Sequence, residues 1–576
     1  MSAVFRRRIA ALLVLASLAA CGGARRDPAT PVASSTQPAA SPAASPTFTL
    51  TIVGTNDLHG GILERDGRGG LALLGGYVKI LRAARARDGG AVLLVDAGDM
   101  FQGTLESNLS EGASVVAAYN ALGYAAAAIG NHEFDFGPVG PAATPQSASD
   151  DPRGALKARA AEAKFPFLAA NIIDAATNKP IAWPNVMPST TVTAAGVRVG
   201  IIGLVTRGAL SATIASNTVG LRIAPLAETI EAEAPRLRAA GADVIIVTAH
   251  AGGRCTAFDN PEDLSSCDQN AEMFQVARQL PSGLVDAIVG GHSHAPIGHQ
   301  VAGIPISEAN SGGRSFGRID LEIDPATKRV MSRKSFAPID LAPGTYESAT
   351  IVPDTKIAGV LAPAVESARA LKASAVGITL TTPIRRAGVP ESPLGNLFTD
   401  AYLAAVPGAD VAFNNTSGGL RADLPAGPLS YGALFEVMPF DNRIVAFHLA
   451  GADVRKIAAA QASRRGALVG MSGLRVVVTC DAGAPMVALL RPNGTPVRDS
   501  DRLLIATTDF LATGGDGLFA SVTPPNGLTI ERDAGAARDV VAAWLKARGG
   551  TLSEAELVDA SKLRWTLPGP QPVACR

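Results

Sequence analysis

From residue 48 to about 340 the chain alternates short apolar runs, polar tips and stretches of helical periodicity. "TLTIVGTND" (49–57), "AVLLVDAGD" (91–99), "AAAAIGNHE" (125–133), "DVIIVTAH" (243–250) and "LVDAIVGGHSH" (284–294) each read as a buried strand with a polar end. Apolar runs without strict alternation are what strands covered on both faces show. Stretches such as "ETIEAEAPRLRAAG" (228–241) lie between them and read as helices. The expected class is therefore α/β, with sheets covered by helices. Residues 341–374 lose this pattern and predict a loop and then a helix, a linker between a domain at 48–340 and another at 375–576. The second unit opens with a helix near "LGNLFTDAYLAAV" and continues as several short strands, an α+β pattern. No internal repeat and no mature membrane-spanning stretch is visible.

The polar tips collect the chemistry. Seven histidines occur, at 59, 132, 250, 292, 294, 299 and 448, and five of them stand at or just beyond these strand ends. In open α/β sheets ligands bind outside the carboxyl ends of the strands, so tips rich in metal-type ligands point to one shared site. Asp57 and His59 are two apart and would project to one side of an extended backbone, as would His292 and His294. Asp99, Asn131 and His250 complete the set. Imidazoles mixed with carboxylates suit zinc, manganese or iron, and the lack of thiolates argues against a closed structural zinc site. Seven ligands are too many for one ion and suit two divalent cations sharing a carboxylate. Paired ions about 3.5–4 Å apart clamp both oxygens of a displacement at phosphorus.

At 576 residues, 47% hydrophobic and 18% charged, the chain is globular and long enough for two to four domains. Lys+Arg and Asp+Glu are equal at 51 each, which argues against coating a nucleic acid polymer but is compatible with a local phosphate pocket. Residues 1–20, "MSAVFRRRIAALLVLASLAA", have the arginines, short apolar stretch and small residues of a signal peptide. "LAAC" (18–21) resembles the lipobox of bacterial lipoproteins, which implies cleavage before Cys21 and lipidation of its sulfur. The Pro/Ala/Ser-rich stretch 21–47 reads as a tether. An exported lipoprotein of the periplasm or cell envelope is expected, on the outer membrane because Gly22 offers no inner-membrane retention signal. The four remaining cysteines suggest two disulfides, most simply Cys255–Cys267 and Cys480–Cys575.

"TNDLHGG", "DAGDMFQGT", "GNHEFD", "TAH" and "GGHSH" follow one another as in the calcineurin-like metallophosphoesterases. More narrowly, the chain resembles the bacterial 5′-nucleotidase/UDP-sugar hydrolase family from about residue 48 to 576. The resemblance implies an N-terminal sandwich of two sheets flanked by helices and a C-terminal α+β substrate-binding domain. It implies one metal on Asp57, His59, Asp99 and His294, and a second on Asp99, Asn131, His250 and His292, with Asp99 bridging. His132 would act at the phosphate, with Asp135 fixing its tautomer and favouring its charged form; Glu133 itself reads as a solvated or supporting side chain with no catalytic role. The reaction implied is hydrolysis of a nucleoside 5′-monophosphate by attack of a metal-bound hydroxide.

"ESPLGNLFTDA" (391–401) looks like the signature opening the second domain. Arg421, in "NNTSGGLRADLP", would anchor the phosphate bidentately, with Arg386, or less well Arg385, as a second cation. The family usually carries Asn where this chain has Thr416, and Asn415 is one place away. In "MPFDN" and "TTDFLATGGDG", Phe440 and Phe510 would sandwich the base, Asn442 would join them, and Asp516 would bind ribose hydroxyls. Gly514, Gly515 and Gly517 would let the chain turn sharply there. His299 and His448 stand outside the motifs and read as structural. Because the reacting groups and base clamp lie in separate domains, closure by rotation is expected. Alternatives are a UDP-sugar or dinucleotide pyrophosphatase, a 2′,3′-cyclic phosphodiesterase, a thiosulfate-pathway relative, or a non-catalytic nucleotide-binding lipoprotein. No obligate protein partner is implied.

Overall fold

The apolar runs become strands whose carboxyl ends fall at one level. Phe48–Thr55, Ala91–Asp96 and Ala126–Ala128 run parallel, with Thr55 opposite Asp96 and Asp96 opposite Ala127. Val244–His250 and Ala287–Val289 run parallel in a second sheet, with Thr248 opposite Val289. The computed structural model describes residues 47–388, 391–524 and 527–575. The signal peptide, the lipobox and the tether up to residue 46 lie outside the described residues.

The first sheet has eight strands and the second six. They pack face to face: Leu50, Ile52 and Val95 of one meet Ile201, Ile246 and Val289 of the other, all buried. Helices Leu71–Asp88 and Ala113–Leu122 cover the outer face of the first sheet through Leu74, Val78, Val115 and Tyr119. Helices Leu226–Ala239 and Glu272–Gln279 cover the outer face of the second through Ile230, Leu237, Met273 and Phe274. Each such side chain contributes about 1.5–3 kcal/mol by leaving water. With both faces of both sheets covered, the central strands have no polar side, which is why their sequences lack alternation.

The C-terminal half is built on a five-stranded mixed sheet, in spatial order Gly470–Ser472, Val411–Asn414, Arg502–Thr508, Arg443–Ala450 and Arg532–Ala536. Helix Pro393–Ala405 packs on it. Its start is set by Ser392, whose side chain accepts from Gly395 N, and by Pro393 in the first turn. Between the halves runs helix Thr355–Ala373, capped by Asp354, whose side chain accepts from Lys356 N. It is more than a linker. Ile357 and Leu361 lie in the core of the first half, and Ala368 packs with Leu105 and Phe435. The described residues form one compact unit. Disulfides join Cys255 to Cys267 and Cys480 to Cys575. Among the described residues no helix is long and apolar enough to cross a membrane.

Candidate dinuclear metal centre and adjoining cleft

The loops beyond the strand ends do not continue extended. Asp57, His59, Asp99, His292 and His294 all have φ between 46° and 77°. The expectation that alternating residues on an extended backbone bring Asp57 with His59, and His292 with His294, onto one side is therefore corrected. Strand pairing stops at Thr55 and Val289, and each pair is aimed by two left-handed residues. That conformation costs a non-glycine residue roughly 1–2 kcal/mol. The surroundings hold it in place. Asp57 N donates to Gly98 O at 2.9 Å, His59 N to Asp99 O at 2.9 Å and Gly60 N to Met100 O at 3.0 Å, lacing the first two tips together. His292 N donates to both Asp57 carboxylate oxygens, at 2.9 and 3.1 Å.

Glu133 secures the second and third tips. Its carboxylate accepts from Asp99 N at 2.8 Å, Met100 N at 2.6 Å and Gly130 N at 2.7 Å. It is fully buried, not solvated, and burial, with the Asp99 charge adding to it, raises its pKa to about 8 against the pull of His250 and the Asp99 and Met100 donors. Gly130 lies so close to Asp99 that a Cβ there would fall 2.2 Å from Asp99 Oδ1. The glycine before Asn131 is thus required by this contact.

Two overlapping clusters result: Asp57, His59, Asp99 and His294, and Asp99, His250 and His292, each with ligand atoms within 4.8 Å of one another. Asp99 belongs to both. Asn131 Oδ1 stands 3.0 Å from His250 Nε2, and Asn131 Nδ2 donates to Ala212 O, which turns the carbonyl inward. The donor set itself calls for cations. His250 donates from Nδ1 to Ala97 O, leaving a lone pair on Nε2. That lone pair faces Asp99 Oδ2 and Asn131 Oδ1, both at 3.0 Å, and both are acceptors. His59 donates from Nδ1 to Gln102 O, and its Nε2 lies 3.0 Å from His294 Nε2. Three acceptors converging on one point, and two imidazole nitrogens on another, fit metal ions and leave little for each other. With protons alone to share, the cluster keeps Asp99 well below the usual carboxylate range: burial opposes this, but His250 and His132 outweigh it. Burial likewise opposes charge on His250, yet Asp99 lifts its pKa to about 10.

Beside this centre is a cavity of about 290 Å³ reached by both halves. His132 and Asp135 line it from the first half. Asp135 Oδ2 is 2.6 Å from His132 Nδ1, and Thr213 Oγ1 donates to Asp135 Oδ1 at 2.9 Å. Burial disfavours the imidazolium, but Asp135 and Asp99 outweigh it and hold the pKa of His132 above its ordinary value. From the second half come Arg421, Phe440, Asn442, Phe510 and Asp516. Arg421 Nη2 lies 3.1 Å from His132 Nε2, and its guanidinium sits 5.2 Å from the Phe440 ring centre. Gly515 packs flat on the Phe510 ring, where a Cβ would come within 2.5 Å.

Several sequence alternatives separate here. Asn415 lines the cavity and donates to Asp516 Oδ2 at 2.7 Å, whereas Thr416 turns away and donates to Leu468 O. Arg385 is paired with Glu554 and exposed, away from the cavity. Arg386 donates to Leu420 O and lines a neighbouring cleft with Arg421 and His294, not the cavity of the two phenylalanines. His299 packs on Phe258, and His448 pairs with Glu531. Ala212, Thr213 and Ile214 form a wall from the first half that carries no metal-type or charged side chain, so nothing in the sequence marked it.

A family model for calcineurin-like phosphoesterases matches residues 50–296, and one for the 5′-nucleotidase C-terminal domain matches residues 371–523. The chain is 29% identical to protein UshA of Yersinia enterocolitica over 511 residues, 82% of this chain and 86% of that one. It is 26% identical to a 5′-nucleotidase of Vibrio cholerae over 540 residues, 88% of this chain and 89% of that one. The crystal structure of a 5′-nucleotidase precursor from Thermus thermophilus superposes with a TM-score of 0.68 at 26% identity, covering 91% of this chain and 100% of that one. Both domain models match in order, and relatives align along most of the length: the chain belongs to the two-domain 5′-nucleotidase family of metal-dependent phosphoric ester hydrolases.

Proposed function

We propose that this chain hydrolyses nucleoside 5′-monophosphates to nucleoside and phosphate. The observation carrying this reading is that one cavity joins Asp99, Asn131 and His292 of the metal-type clusters to Phe440, Phe510 and Asp516 of the other half. Asp57, His59, Asp99 and His294 would hold one divalent cation, and Asp99, Asn131, His250 and His292 the second. Such ions, when bound, supply Lewis acidity to the phosphoryl group and ease deprotonation of the attacking water.

The side chains do the rest. Asp135 holds the Nδ1 proton of His132, and protonation of Nε2 turns the His132–Arg421 contact into two donors aimed at one point. A phosphoryl oxygen seated there is stabilised as charge builds on it. Phe440 and Phe510 take the base, and Asp516, with one oxygen engaged by Asn415, offers the other to ribose hydroxyls. Ala212, Thr213 and Ile214 line the same cavity and would limit water around a bound substrate. The two phenylalanines also favour a nucleotide over a substrate with no base.

We further propose export as a lipid-anchored envelope protein, supported by the signal-like residues 1–20, Cys21 and the two disulfides. Cys21→Ser should move the protein from the membrane to the soluble fraction. The activity is tested by phosphate release from AMP, UDP-glucose and 2′,3′-cyclic nucleotides, before and after chelation and metal add-back. Metal-restored turnover of AMP above the others is expected. Preference for UDP-glucose or a cyclic ester, or no metal-dependent turnover, would overturn the reading.

A further inference from the structure

Beside the metal-type cluster the protein opens into a second recess that neither Phe440 nor Phe510 lines. Two adjoining clefts of about 360 and 1070 Å³ share Arg65, His294 and Arg314 among their walls. The smaller one begins at His59 and His294 and includes Arg386 and Arg421; the larger adds Arg68 and Lys372. The walls come from both halves of the chain.

The charge on these walls is unbalanced. Arg65 pairs with Glu436 at 3.3 Å, and Lys372 with Glu106 at 2.9 Å. Asp66 and Asp340 are the other acids on the walls. Among the described residues Arg68, Arg314, Arg386 and Arg421 have no carboxylate within ion-pair distance. On open surface an unpaired guanidinium is ordinary. Here Arg314 lines both clefts, Arg68 the larger and Arg386 and Arg421 the smaller; although all but Arg421 are exposed, their convergence on adjoining clefts gives the recess a positive potential. Guanidinium forks match phosphate oxygens bidentately, which an ammonium does not. A nucleoside monophosphate with its base on Phe440 and Phe510 and its phosphorus at the cluster would not engage Arg68 or Arg314, which line the recess and not the cavity of the phenylalanines.

We propose that the recess is a second anion subsite, binding a phosphate group that lies beyond the scissile position, opposite the nucleoside. The proposal rests on the phosphohydrolase reading of the metal-type cluster. It concerns residues that reading does not use: Arg68 and Arg314, with Arg65 beside them. A phosphoanion could enter as a free inorganic species or as the far phosphate of a longer nucleotide, and both present the same chemistry.

The test compares the metal-loaded wild type with Arg68→Gln/Arg314→Gln, at fixed excess metal. The probe is methylenediphosphonate, a pyrophosphate analogue with a bridge that resists hydrolysis. Its inhibition constant against AMP hydrolysis should rise about tenfold in the double variant, as expected for losing two charge-assisted contacts. The KM for AMP and inhibition by inorganic phosphate should stay put. An unchanged diphosphonate constant overturns the proposal, as does an equal shift for AMP and phosphate, which would mean a general loss of field. Tm of the double variant checks that it folds, and Arg68→Lys/Arg314→Lys should restore only part of the binding. In the same variants a raised KM for ADP identifies a nucleotide's far phosphate as the occupant; an unmoved one identifies the free anion. If the wild type fails to turn over AMP, titration calorimetry with the same probe and variants still decides the subsite.

Discussion

The two halves of the molecule hold their functional groups in opposite ways. In the N-terminal half Asp57, Asp99, Asn131 and His250 are all buried, at a strand end and on loops cross-laced by backbone hydrogen bonds and anchored by Glu133. In the C-terminal half Arg421, Phe440 and Phe510 are half-buried and Asp516 is exposed, on loops and short helical turns that line the cavity. Groups that must meet charge at fixed separations gain from a site that cannot relax. Groups that recognise a flat base through its face tolerate play. On the proposed reading the first half carries the chemistry and the second the capture, and substitutions should split along that line.

The largest break should come from Asp99→Asn, which removes the carboxylate common to both clusters. Turnover should vanish and bound metal, measured by atomic spectroscopy, should fall from two equivalents, while circular dichroism stays native. Retained activity would show that the clusters are not the reaction centre. Next in size is Glu133→Ala. It strands three buried N–H groups at about 1–3 kcal/mol each and frees the tip that carries Asp99. Denaturant unfolding should show several kcal/mol lost, and metal affinity should drop about 10–100-fold. A variant unchanged in both would remove Glu133 from the support of the site.

In the capture half, Phe510→Ala should cost about 1–3 kcal/mol of stacking, read as a rise in KM with kcat nearly constant. A fall in kcat at constant KM would contradict the division. The smallest effect is expected at the seam. Gln102 Nε2 donates to Pro439 O at 2.7 Å and Asn108 Nδ2 donates to the same oxygen at 3.1 Å, tying the first half to the loop of Phe440. The backbone carbonyl of Gln102 also receives His59 Nδ1. Gln102→Ala removes a bond worth about 1 kcal/mol, so KM should rise roughly fivefold, and scattering should show a larger radius of gyration. Gln102→Glu, which loses the donor but keeps the size, should behave like the alanine variant if the bond to Pro439 matters.

Legibility in the sequence followed the same division. Strands buried on both faces leave uninterrupted apolar runs, so their ends, and the Asp, Asn and His residues beyond them, stood out in the pattern. The left-handed turns at Asp57 and His292 did not, because they are enforced by bonds to Gly98 and to the Asp57 carboxylate, partners distant in sequence. Glu133 is a clamp only because Asp99 N and Met100 N come to it from more than thirty residues away. Arg385 is engaged by Glu554, across more than a hundred and sixty residues of sequence. No local reading contains that partner.

Helix Thr355–Ala373 has a mechanical consequence. Its first turns are rooted in the N-terminal core, while near its end Lys372 bridges Glu106 of one half and Glu436 of the other, and Tyr431 N reaches Ser374 O at 2.8 Å. Any swing that uncovers the cleft would have its fulcrum at this end. There small displacements are multiplied by the lever arm out to Phe510, so the helix would serve as the molecule's axle.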